Sequence, residues 1–307
     1  MNEFYCPLVG FKLNWKVNFE NNKLDIIKDI TIISKNDLPE LSILSDCLTR
    51  EVISQYENQV YYWLYLKNDY DEIEEIINIF QLVLWIIRPT EYHINFISNL
   101  TKDNKKRIYR YLLSRFIPIH NHFEYEYNNN DIEKLKKFLP TMIDLYKKNR
   151  FKNSIVFNYH GCITNFWEAA YIQFSATFES LLNHKSYISK QLINELKWGV
   201  KKKLAWAYAI LTEANNEKRP LAFDNFRDIY KIRSEILHGE SFKEKYNDGN
   251  INLHKLAKCR DMLRKLWRVI LDSDEIIEIL SGSDNVRRDY FKKVANGWMP
   301  EEEKGKK

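Results

Sequence analysis

The stretch KIRSEILHGE, residues 231–240, sets Arg233 and His238 five positions apart, just ahead of a glycine. A guanidinium can grip an anionic oxygen and stabilise charge that develops on it. An imidazole can accept or donate a proton near neutral pH. Together the two residue types suit chemistry on a phosphate or a similar anion. The spacing alone says little, because it recurs at Arg88/His93 and Arg115/His120. Those two pairs enclose Pro89 and Pro118, so no continuous helix presents both partners. Only Arg233 and His238 share an uninterrupted helical pattern.

That pattern is expected to start near Asp224 as N-cap and to stop at Gly239. Phe226, Ile229, Tyr230, Ile236 and Leu237 form one apolar stripe at helical spacing, with Arg233 in its middle and His238 at its rim. A guanidinium on a packing face is costly unless it is paired, wet or used. Two readings stand on the residues alone. Arg233 and His238 form a site, or Arg233 pairs with a buried carboxylate such as Glu179 while His238 closes the last carbonyls of its helix.

The elements around this helix are read as follows. Residues 1–36 are β-rich: LVGFKLNWKVNF and KLDIIKDITIIS flank the turn signal ENNK. From 39 to 117 the pattern turns helical, with DEIEEIINIFQLVLWII ended by Pro89. DNKKRIYRYLLSRFI follows as an amphipathic helix capped by Asp103 and stopped by Pro118. EYEYNNND, 124–131, reads as a linker, and DIEKLKKFLPTMIDLYKKN as a helix bent at Pro140. The second half is all-helical. Residues 165–184 form a central buried helix whose polar exceptions are Glu168, Gln173 and Glu179. A helix over 189–211 capped by Ser189 follows, then the Arg233 helix, then one long helix over 252–280.

Composition bounds the class. Eight Gly and seven Pro in 307 residues favour a mainly helical globular chain. Cys6, Cys47, Cys162 and Cys259 are scattered, which supports neither a disulfide framework nor a zinc site and suits a reducing cytoplasm. The longest apolar run, 80–87, is too short to span a bilayer, and no secretory leader is seen. Residues 190–270 carry a net charge of +8 and the remainder −3, so a polyanionic partner would meet the half that holds Arg233. Lys201, Lys202 and Lys203 in KWGVKKK either guide such a partner or form a solvated helix face.

The ordered set FWEAAYIQFSATFESLL, YKIRSEILHGE and INLHKLAKCRDMLRKLWRVIL, over roughly 160–280, resembles a HEPN domain of the ApeA type. Residues 1–150 resemble ApeA-type N-terminal regions loosely, through CPLVGFKL and the aromatic YYWLYL. The fold expected is α+β overall: a small mixed α/β N-terminal domain over 1–150, an all-α HEPN helical bundle over 151–284, and a charged tail over 285–307.

The resemblance implies a metal-independent endoribonuclease without cofactor, with Arg233 and His238 catalytic. Glu179, a carboxylate on the central helix, is expected either to orient Arg233 or to lie on the surface, and Ser234 stands where many members carry Asn. It further implies RNA as substrate and a homodimer in which two Arg/His pairs face one cleft. The expected setting is a cytoplasmic anti-phage, abortive-infection effector. Its trigger, a phage-derived or protein signal, would be sensed by the aromatic-rich N-terminal domain around Tyr61, Tyr62 and Trp63. The alternative is a non-catalytic HEPN-like module that binds RNA or protein.

Overall fold

The computed structural model describes residues 3–14, 16–17, 19–34, 54, 59–67, 73–89, 93–100, 106–111, 126–182, 198–238 and 249–300. The chain is α+β, with an antiparallel sheet in its N-terminal part and an all-helical C-terminal part. It divides into two compact units, 1–143 and 144–307. The expected caps and ends at Asp103, Ser189 and Gly239, and the residues Cys47, Arg115, Pro118, His120 and His184, lie outside the described residues.

The first unit holds β1 (Glu3–Val9), β2 (Lys23–Ile27), β3 (Ile30–Ser34), β4 (Val60–Lys67), α1 (Ile73–Ile87), β5 (Phe96–Leu100), β6 (Lys106–Tyr111) and most of α2 (Asn129–Tyr146). The six strands form one sheet in the order β2-β3-β4-β1-β5-β6, with every neighbouring pair antiparallel. Strand alternation sends Phe4, Cys6 and Leu8 of β1 to one buried face, as the period of two requires.

Several expected elements change here. LVGFKLNWKVNF is not one strand: β1 ends at Val9, and Gly10 takes φ 76 as the chain leaves the sheet. Asn21 and Asn22 form the expected turn, with φ of 50 and 60, and Glu20 and Lys23 close it by exchanging backbone bonds at 3.1 and 3.0 Å. A further hairpin joins β2 to β3. YYWLYL becomes the central strand β4, and KRIYRY, expected as part of a helix, becomes β6. Both are rich in aromatic and β-branched residues, which suit a pleated surface, and β6 has β5 to pair with.

The linker expected at 124–131 is instead part of the unit from Glu126 on. Tyr127 is buried and exchanges backbone bonds with Lys12 and Asn14, at 2.9 Å each. Its ring stacks on Phe11 at 4.9 Å. The start of α2 is a reciprocal cap: Asp131 N donates to Asn128 Oδ1, and Asn128 N donates to Asp131 Oδ2, both at 3.1 Å. Arg88, just past α1, donates to the same Asp131 carboxylate at 2.5 Å. Pro140 lies inside α2 as expected.

The second unit comprises α3 (Asn149–Ile163), α4 (Trp167–Leu182), α5 (Val200–Thr212), α6 (Arg219–His238), α7 (Gly249–Leu271), α8 (Asp274–Ser281) and α9 (Asp284–Ala295). α3 and α4 run antiparallel at close range. A Cβ on Gly161 would meet the Phe174 ring at 2.5 Å, and Arg150 donates to the carbonyls of Ser180 and Leu181 at the far end of α4. Those carbonyls lie in the last described turn of α4, and the guanidinium caps them. α4 is the central helix anticipated from its all-round apolar character. It touches α3 through Phe174, α5 and α6 through Phe178, and α6 again where Tyr171 donates to the Ile229 carbonyl at 2.9 Å.

The long helix expected over 252–280 is two. α7 ends at Leu271, and Ser273 restarts the chain as N-cap of α8 by accepting from Ile276 N. The charged tail expected from 285 instead carries α9. Phe291 and Ala295 are buried there, and Arg219 donates to the carbonyls of Val294 and Ala295. Its charged surface concealed one apolar face. Residues 301–307 lie outside the described residues.

Candidate functional site

α6 begins at Arg219, five residues before the expected Asp224 cap. Pro220 falls in the first turn, where its missing N–H is no loss. The turn before it is set by Asn215, whose side chain accepts from Glu217 N at 2.9 Å. Arg219 is buried and fixes this end of α6 by also donating to the Glu213 carbonyl at 3.0 Å. Asp224 lies within the helix and pairs with Arg227.

Along α6 the burial is uneven. Phe226 is enclosed by Phe178 and Tyr208, at ring separations of 5.0 and 5.2 Å, and stacks on Tyr230 at 6.1 Å. Full burial of such a ring contributes about 1.5–3 kcal/mol. The apolar stripe does not continue to the end of the helix. Ile236 is partly exposed, Leu237 is 50% exposed, and His238 is exposed. Past the buried Glu235, the end of α6 therefore emerges from the packed core, and Arg233 stands at the rim of that core, not in its middle.

Arg233 meets Glu179 there. Its Nη2 lies 3.0 Å from Glu179 Oε1, with the two side chains 31% and 26% exposed. Tyr230 joins them. Its hydroxyl donates to the same Oε1 at 2.5 Å, and its ring lies 5.4 Å below the Arg233 guanidinium carbon. Burial, followed by the hydrogen bond and charge of Glu179, pushes the Tyr230 phenol well above its ordinary pKa, with Arg233 acting weakly in the opposite sense. It stays a proton donor across the ordinary pH range. Tyr230 was read in the sequence only as part of the apolar stripe. Its position three residues before Arg233, on one helix face, was the available signal, because a buried phenol seeks a partner.

Arg233 and His238 sit on one unbroken helix, about 7.5 Å apart along its axis. Among the described residues no hydrogen bond or ion pair joins Arg233 to His238 or to Ser234, and His238 closes none of the last carbonyls through a hydrogen bond. Ser234 is partly buried. The rival pair is dismantled: Arg88 is held by Asp131, and the backbone of His93 bridges to Val9. His254 is exposed.

Lys201, Lys202 and Lys203 occupy the first turn of α5, partly exposed. Basic residues at a helix N-terminus oppose the macrodipole, so the helix itself gains nothing from them there. α5 and α6 run antiparallel, as the contacts of Glu213 with Arg219 and of Tyr208 with Phe226 require. Seven residues further along each helix, Arg233 comes about level with Lys201. The lysine turn thus lies at the same end of the helix pair as Arg233 and His238.

Part of the remaining basic excess is structural. Arg219, Arg260 and Arg264 are buried, Lys265 pairs with Glu213, and Lys258 donates to Asn225 at 2.7 Å. Among the described residues no group of three His, Cys, Asp or Glu could hold a metal ion, and no helix is long and apolar enough to cross a membrane. No family model, curated protein or solved structure matches the chain.

Proposed function

We propose that the chain is a metal-independent endoribonuclease of the HEPN type, with Arg233 and His238 as its catalytic residues. The observation that carries this reading is the emergence of the last turn of α6. It leaves His238 exposed and Arg233 partly exposed on one unbroken helix, at the same end of the α5–α6 pair as a turn of three lysines.

RNA carries its own nucleophile. The 2′-hydroxyl oxygen attacks the adjacent phosphorus, and an imidazole accepts its proton. The phosphorus–O5′ bond breaks, and the departing 5′-oxygen takes a proton. The products are a 2′,3′-cyclic phosphate and a 5′-hydroxyl. Arg233 offsets the charge that accumulates on the phosphorane oxygens. One Arg/His pair supplies half of the expected site, and a two-fold homodimer would supply the other half. A cytoplasmic anti-phage effector whose N-terminal unit answers a phage-derived or protein trigger fits the resemblance.

A second reading rests on the Arg233–Glu179 pair. An arginine whose charge is offset by a carboxylate has a structural partner and no need to act on a phosphate, which fits a non-catalytic HEPN-like module that binds RNA or protein through other residues. The discriminating experiment is digestion of total RNA in the presence of EDTA. Cleavage is expected from the wild type and is expected to be lost in Arg233→Ala and His238→Ala, both folded by circular dichroism. RNA binding without cleavage, or full cleavage by His238→Ala, selects against the catalytic reading.

A further inference from the structure

Glu179 holds Arg233 in an unusual way for such a pair. Arginine and carboxylate commonly form a fork, with two parallel N–H···O bonds. Here one guanidinium nitrogen meets one oxygen, Oε1, and that same oxygen also accepts the Tyr230 hydroxyl. The phenol cannot drift. It is buried and stacks on the fully buried Phe226, and its place in α6 is pinned where Tyr171 bonds the Ile229 carbonyl. Its raised pKa keeps the hydroxyl proton in place.

We propose that Tyr230 is a positioning residue. By donating to Glu179 Oε1, its hydroxyl fixes the orientation of the carboxylate, so that this one oxygen and not a two-oxygen fork meets Arg233. The guanidinium keeps its remaining N–H donors for a phosphate oxygen, while the Tyr230 ring supports its face. Tyr230 itself touches no substrate. The inference rests on the nuclease reading, and it assigns Tyr230 a role in how strongly Arg233 grips the reacting phosphate.

Tyr230→Phe tests it, since the ring, its stacking and its contact with the guanidinium are kept while one O–H is removed. RNA cleavage by Tyr230→Phe is expected to fall about tenfold, with a melting temperature close to wild type. The same substitution in a Glu179→Ala background is expected to change cleavage less than twofold, because the group restrained by Tyr230 is gone. Full activity in Tyr230→Phe, or a tenfold loss that persists in the Glu179→Ala background, would overturn the proposal.

If the wild type cleaves no RNA, the nuclease reading fails, and the proposal is read in the resting protein. The Arg233 guanidinium ¹⁵N resonance, assigned with Arg233→Lys, is expected to move in Tyr230→Phe. An unmoved resonance overturns the positioning role, whatever the activity.

Discussion

At the scale of single residues, the two Arg-x4-His candidates whose arginines are described differ in what the arginine is bound to. Arg88 is bound into structure: Asp131, almost fully buried, is both the reciprocal cap of α2 and the acceptor for Arg88. Arg88→Ala would leave that carboxylate buried without its cation, a loss of about 3 kcal/mol. A lower urea midpoint for the first unfolding transition checks this, with cleavage per folded molecule retained. An unchanged midpoint would mean that solvent replaces the guanidinium. Arg233 instead pairs with a partly exposed carboxylate at the edge of the core, Glu179. The pair itself was legible in the sequence because proline excluded its rivals. Tyr230 was not, since a tyrosine in an apolar stripe carries the same periodicity whether its hydroxyl is idle or committed.

At the scale of elements, helices with strong 3.6-residue periodicity were legible and strands inside mixed patterns were not. α1, α2, α4 and the body of α6 follow from their apolar spacing. β6 was missed because KRIYRY repeats its apolar residues at intervals compatible with either period, and only β5 decides between them. The break between α7 and α8 was hidden for a related reason. The apolar spacing runs on through Asp272 and Ser273, and the cap formed by Ser273 is a local event. α9 was hidden by its charge, since Phe291, Ala295 and the stem of Arg287 are the buried part of a helix otherwise made mainly of surface residues.

The α3–α4 pair offers a test at this scale. Gly161 lets the two backbones approach, and a methyl group there would press on the Phe174 ring. Gly161→Ala is expected to destabilise the second unit by about 1–3 kcal/mol, read as a lower urea midpoint. An unchanged or raised midpoint would show that the Phe174 ring gives way freely, with helix propensity gained in return.

At the scale of the whole molecule, part of the positive charge counted along the second unit is taken into its structure. Four of its arginines are buried, and Lys258 and Lys265 have partners. The turn Lys201–Lys203 remains as the basic group level with Arg233. Reversing those three charges is expected to weaken RNA binding about tenfold or more, and to flatten its dependence on salt. Reversing Lys134, Lys136 and Lys137 on α2 is expected to change it less than twofold. Filter binding on a His238→Ala background reads both, and equal losses would assign RNA contacts to the first unit as well.

The central claim is that the 2′-hydroxyl of RNA is the nucleophile and that Arg233 and His238 direct it. Mass spectrometry of the ends left on a defined RNA, cut by the wild type in EDTA, tests that claim most directly. The account predicts a 2′,3′-cyclic phosphate on one fragment and a 5′-hydroxyl on the other, with neither formed by His238→Ala. A 3′-hydroxyl paired with a 5′-phosphate, or an RNA left intact by the folded wild type, would contradict it.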